Sequence, residues 1–108
     1  MLRRRTEQHK DSYEPRARLA QALLSLGRFE AALKAIDGAV KLAYGPRRLR
    51  YLDTRAKLLR RLARPQDERA ALRALLEAYD GLSAKLRARR SNRRLADSAR
   101  RRLAELGS

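Results

Sequence analysis

The strongest constraint on this chain is a spacing that occurs twice. Ala32-Leu33, Ile36 and Ala39-Val40 recur as Ala71-Leu72, Leu75 and Ala78-Tyr79, 39 residues later. Each set falls on one stripe of an α-helix, because residues three, four and seven apart share a face. A second pattern repeats upstream of each. Ala20, Leu23 and Leu26 align with Ala56, Leu59 and Leu62 at an offset of 36. The chain therefore reads as two helix-hairpin units, and the difference between the offsets falls in the turn that holds Pro65. Periods of this size mark helical solenoids, where each hairpin buries its apolar stripe against the next. Small residues serve the close crossings: Ala20, Ala32 and Ala39 let two helix axes approach, and Leu23, Leu33 and Ile36 fill the space around them.

The elements follow from stripes and stops. Residues 1–11 are polar, lack periodicity and read as a flexible basic tail ahead of a single domain over 12–107. Asp11 or Ser12 is suited to cap the first helix, with Pro15 in its first turn. Gly27 ends that helix, and Phe29 opens the second. The second finishes near Ala43, with Gly45 as a stop that tolerates the left-handed region. Pro46 starts the third, whose stripe is Leu49, Leu52, Ala56, Leu59 and Leu62; Arg64-Pro65-Gln66 breaks it. The fourth carries Ala71, Leu72, Leu75, Ala78 and Tyr79. Leu82 and Leu86 keep its stripe, so it is expected to run through Gly81 toward Arg89. Ser91 or Asn92 caps a fifth, with Leu95, Ala99, Leu103 and Leu106 inward and Gly107 past its end. β-branched residues are only Ile36, Val40, Thr6 and Thr54, which leaves little material for strands. The expected fold is all-α, a hairpin-repeat solenoid of about five helices: repeats over 13–46 and 47–82, then a helix extension and cap over 83–107. An ordinary bundle of the same hairpins would share most of this core.

Gly27-Arg28-Phe29-Glu30-Ala31-Ala32-Leu33, followed by Ile36, Ala39-Val40, Leu42 and Pro46, resembles the second helix of a tetratricopeptide repeat. In that family a Gly lies between the helices, an aromatic follows two residues later, the Ala-apolar pair recurs after seven residues, and a Pro closes the unit. Leu19-Ala20 and Leu23 are similar to the first-helix part of the motif. The likeness is good over 13–46 and weaker over 47–80. There, Arg55 replaces an apolar residue, Ala63 stands at the inter-helix Gly and no aromatic matches Phe29. Pro46 itself falls two residues late. Residues 91–107 look like the solvating cap helix of such arrays. The resemblance implies a scaffold that binds partners on the concave surface lined by the first helix of each hairpin.

Composition narrows the chemistry. With no cysteine, disulfides, thiolate nucleophiles and Cys-based metal sites are excluded. His9 is the one histidine and lies among polar residues, where it reads as a solvated side chain. No Gly-rich phosphate loop, HExxH or paired His occurs, and Asp67-Glu68 reads as charge favoured by a helix N-terminus. A non-enzyme without cofactor or metal is expected. The start is basic but not followed by an apolar stretch, and no run approaches membrane-span length; a cytoplasmic protein is expected.

The charge is the other outstanding fact. The 28 Lys and Arg against 12 Asp and Glu leave a net +16, and Arg supplies 23 of the basic residues. A GC-rich bacterial genome would produce such an Arg, Ala and Leu balance without any function. A surface for acidic partners would produce it too. On the family's concave face the candidate groove is Gln21, Leu24, Arg50, Asp53, Lys57, Arg60 and Arg61, with an acidic peptide or protein segment as the natural guest. The family's known Lys and Asn carboxylate clamp has no counterpart, because Ala17 and Gln21 occupy its first-unit positions. The bland alternative is that Lys57, Arg60 and Arg61 merely solvate an exposed helix face. A second candidate is the Arg-rich C-terminal region, with Arg87, Arg89, Arg90, Arg93, Arg94 and Arg101. It is suited to sequence-nonspecific nucleic acid through phosphate contacts, or is simply a charged cap. A third is self-association, as a homodimer or a structural subunit of a larger assembly, through Leu24, Leu58 or Leu86.

Overall fold

The computed structural model describes the backbone of residues 2–107 and the side chains of residues 14–107; His9 and the expected capping residues Asp11 and Ser12 lie outside the described side chains. The fold is all-α, with six helices and no strand among the described residues. They are α1 (Leu2–Ser25), α2 (Phe29–Leu42), α3 (Gly45–Arg61), α4 (Pro65–Asp80), α5 (Ala84–Arg87) and α6 (Arg90–Glu105). The first four helices pack chiefly on their chain neighbours, α1 on α2, α2 on α3 and α3 on α4, while α6 packs on both α4 and α3. The result is a slab of 50 × 37 × 19 Å, about two helix diameters thick, as expected of a helical-repeat class.

The repeated stripes form the core. Ala20, Ala32, Ile36 and Ala39 of the first hairpin are buried, as are Ala56, Leu59, Ala71, Leu72 and Leu75 of the second. Leu49 and Leu52 join them from the start of α3. The turns also repeat. After α1, Gly27 at φ +76 donates its N–H to the Leu24 carbonyl at 3.0 Å, and Arg28 donates to Leu23 at 2.8 Å. After α3, Ala63 at φ +56 donates to Arg60 at 3.1 Å, and Arg64 donates to Leu59 at 3.0 Å. Both ends are Schellman caps, in which a left-handed residue lets the last carbonyls find donors. Ala63 takes this conformation without glycine's freedom, at a cost of about 1 kcal/mol.

Three element boundaries differ from the sequence reading. Helix α1 begins at Leu2, ahead of the expected start near residue 12, so residues 2–11 are helical backbone and Pro15 falls inside the helix. Those residues include good helix formers but no apolar stripe, so periodicity missed a stretch that propensity supports. The expected extension of α4 toward Arg89 does not occur, because the helix stops at Asp80. Ser83 explains the stop: its Oγ accepts the Leu86 N–H at 3.3 Å and caps the single turn α5. Tyr79 Oη then donates to the Arg87 carbonyl at 2.9 Å, and Asn92 Nδ2 to the Leu86 carbonyl at 2.8 Å. Side chains thus satisfy carbonyls that a continued helix would have bonded internally. The last helix starts at Arg90, with Arg89 at the N-cap and no side-chain cap. Asn92 is buried in its first turn instead.

Burial also departs from the stripes in one helix. Leu58, expected to be exposed, is fully buried. Helix α3 is flanked by α2, α4 and α6, so a wider arc of it is covered than one stripe. Leu19 and Leu26, both assigned to the buried stripe of α1, are exposed at 52% and 71%. Their helix has only α2 as a major neighbour.

Candidate functional site

Helices α1 and α3 face each other across two clefts. The first, about 270 Å³, is lined by Glu14, Ala17, Arg18 and Gln21 of α1, Ile36 of α2, and Arg50, Tyr51 and Thr54 of α3. Glu14 and Arg47 form an ion pair across its end. The second is larger, about 880 Å³, and lies at the other end of the same face. Its walls are Leu24, Ser25, Gly27 and Phe29 on one side and Lys57, Arg60 and Arg61 on the other. Its volume lies within the range of ordinary ligand clefts.

Six of the seven expected groove residues therefore line a cleft: Gln21 and Arg50 the small one, Leu24, Lys57, Arg60 and Arg61 the large one. Asp53 lines neither. It is 7% exposed, and its carboxylate accepts from Arg102 of α6 at 2.5 Å and pairs with Lys57 at 3.1 Å. Asp53, expected in the groove, thus lies outside both clefts and holds the cap helix. The reason is that α6 folds back over the second half of α3, and its one inward-facing arginine needs a carboxylate there. The second amino nitrogen of Arg102 is buried without a partner.

The cationic wall is shaped by this arrangement. Lys57 is turned to Asp53. Arg60 lies 3.7 Å from Glu105, with both side chains 64% exposed, a pair that water screens heavily. The Arg61 guanidinium lies over the Phe29 ring at 5.9 Å from its centroid, within cation–π reach. The cleft thus combines an apolar side of Leu24 and Phe29 with exposed Arg60 and Arg61. Such a surface can accept carboxylates by bidentate hydrogen bonds while an apolar side chain enters beside them.

Sequence reasoning missed Glu68. Its place in the first turn of α4 beside Asp67 agrees with charge favoured by a helix N-terminus, and it is also 3% exposed. It lines a small cavity beneath α6 with Arg60, Arg102, Glu105 and Leu106. The offset of 39 places it opposite Phe29 in the repeat. That alignment was the available signal, since a polar residue at a repeat's apolar position implies a polar neighbour.

The C-terminal arginines are also located. Arg89, Arg90, Arg93, Arg94 and Arg101 are exposed and Arg87 is half-buried. Of the leucines expected to support self-association, Leu24 and Leu86 are half-buried and Leu58 is inaccessible. Among the described residues, no group of His, Asp or Glu is arranged to hold a metal, and no helix is long and apolar enough to cross a membrane. No protein-family model matches the chain, and no curated protein or solved structure matches it either.

Proposed function

We propose that this chain is a hairpin-repeat scaffold of the tetratricopeptide type, a cytoplasmic, non-catalytic adaptor that holds an acidic protein segment between α1 and α3. The observation that carries this reading is the larger cleft, where Arg60 and Arg61 line one side and Leu24 and Phe29 the other. Charge alone would attract any polyanion. The apolar side adds a preference for a segment in which acidic and apolar residues alternate, because only such a segment fills both halves.

The test uses a fluorescein-labelled peptide of alternating Glu and Leu, titrated with the whole chain. Arg60→Glu with Arg61→Glu is expected to weaken binding at least roughly tenfold, while circular dichroism and melting temperature stay near the original. Arg93→Glu with Arg94→Glu makes the same change in net charge on another surface and is expected to leave most of the affinity. Equal losses in the two variants would mean that the peptide responds to overall charge, and the cleft assignment would fail.

A further inference from the structure

We propose a second binding surface, independent of the cleft: the outer face of α6 grips the phosphate backbone of a nucleic-acid duplex without reading its sequence. Helical geometry puts Arg90, Arg93, Arg94 and Arg101 on one side of α6, since successive residues turn by about 100°. All four are exposed. None makes an ion pair with a carboxylate among the described residues. Asp97 interrupts the row, but Arg100 holds it at 3.0 Å. The row extends about 16 Å along the axis, at 1.5 Å per residue. Duplex DNA presents one phosphate per ~3.4 Å of axis on each strand, so four guanidinium groups can meet four phosphates at once.

The opposite face of α6 makes the row a rigid one. Ala96 and Ala99 are buried, and Leu95 and Leu103 pack against the core. Arg102 is fastened to Asp53, and Arg100 lies 5.9 Å from the centroid of Tyr79. The arginines therefore need little ordering of backbone on binding, which preserves affinity.

Three observations select a duplex over other polyanions. Seating in a membrane interface would require a free apolar face on the helix, and the apolar face of α6 is already spent on packing. A single strand is usually held by stacking bases on aromatic rings, and α6 has no aromatic residue. An acidic protein would need an apolar anchor within the charged rim, and the row contains none. The amide contact that reads adenine has no source on this face, because Asn92, the one amide of α6, is turned inward to the Leu86 carbonyl.

The experiment is fluorescence anisotropy of a labelled mixed-sequence DNA duplex titrated with the whole chain at several salt concentrations. Four phosphate contacts predict a log–log dependence of the binding constant on salt with a slope of about −4. Replacing Arg90, Arg93, Arg94 and Arg101 by Ala is expected to remove at least roughly tenfold of the affinity and most of that slope, with the helical spectrum retained. The matching set of Arg→Lys replacements is expected to keep the slope. Arg60→Ala with Arg61→Ala is expected to leave duplex binding nearly unchanged, so failure of the cleft reading and failure of this one are separable. No binding at low salt, or native affinity in the four-Ala variant, would overturn the assignment. Tighter binding of a single-stranded oligonucleotide than of the duplex would overturn the choice of partner.

Discussion

The two hairpins are built on the same helical spacing and end their first helices in the same cap, yet their polar chemistry differs. Where the first has Ala17, the second has buried Asp53; where the first has Phe29, the second has buried Glu68. Leu26 is 71% exposed, while its counterpart Leu62 is half-buried. The difference lies in what each hairpin is packed against. Helix α3 is covered on several sides, including by α6, whereas α1 leans mainly on α2 and leaves a cleft open toward α3. A repeat thus sets where a side chain sits, and the neighbouring element sets what that side chain must be.

The comparison can be broken most forcefully in the core. Leu59→Ala empties a fully buried site and is expected to destabilise the fold by about 4 kcal/mol, whereas Leu23→Ala at the matching half-buried site is expected to cost about 2 kcal/mol. Chemical denaturation of the two variants measures both; equal losses would mean that the hairpins are covered alike. The buried ion pair comes next. Asp53→Ala leaves Arg102 without its carboxylate and should cost about 3 kcal/mol. Replacing both Asp53 and Arg102 with Leu and Met is expected to recover most of that loss, because a buried charge pair is worth little more than well-packed apolar groups. If the double replacement is as unstable as Asp53→Ala, the pair contributes more than its own mutual compensation. The smallest effects are in the turns. Gly27→Ala puts a side chain in the left-handed region and should cost about 1 kcal/mol, while Ala63→Gly should gain about 0.5 kcal/mol, since the glycine loses some of its advantage to unfolded-state freedom. Opposite signs for these two changes, read from melting curves, would sharpen the equivalence of the turns.

Much of the architecture was legible because it rests on local periodicity. The stripes Ala20, Ala32, Ile36 and Ala39, and Ala56, Leu59, Ala71, Leu72 and Leu75, are the core. Pro46, Pro65 and Gly27 fall at the turns that they were expected to make. Candidate groove residues were legible to the extent that a helix face is: six of seven line the clefts. Asp53 lies outside them because it pairs with Arg102, 49 residues away, and no spacing rule relates the two. The break after α4 failed for a related reason. The stripe continues through Leu82 and Leu86, but Ser83, Tyr79 and Asn92 capture the carbonyls and amides needed to end one helix and start another.

The sequence by itself determined that this protein is helical, paired into hairpins and strongly cationic, since helix propensity, apolar period and charge are properties of short segments and of sums. Only the tertiary structure decided which polar groups are buried, which leucines are exposed and where the clefts open. Those depend on what α6 covers and on what α1 lacks, and covering is a relation between segments far apart along the chain. Two hairpins that share one spacing therefore end with a largely buried polar seam under the cap and an open basic cleft beside α1.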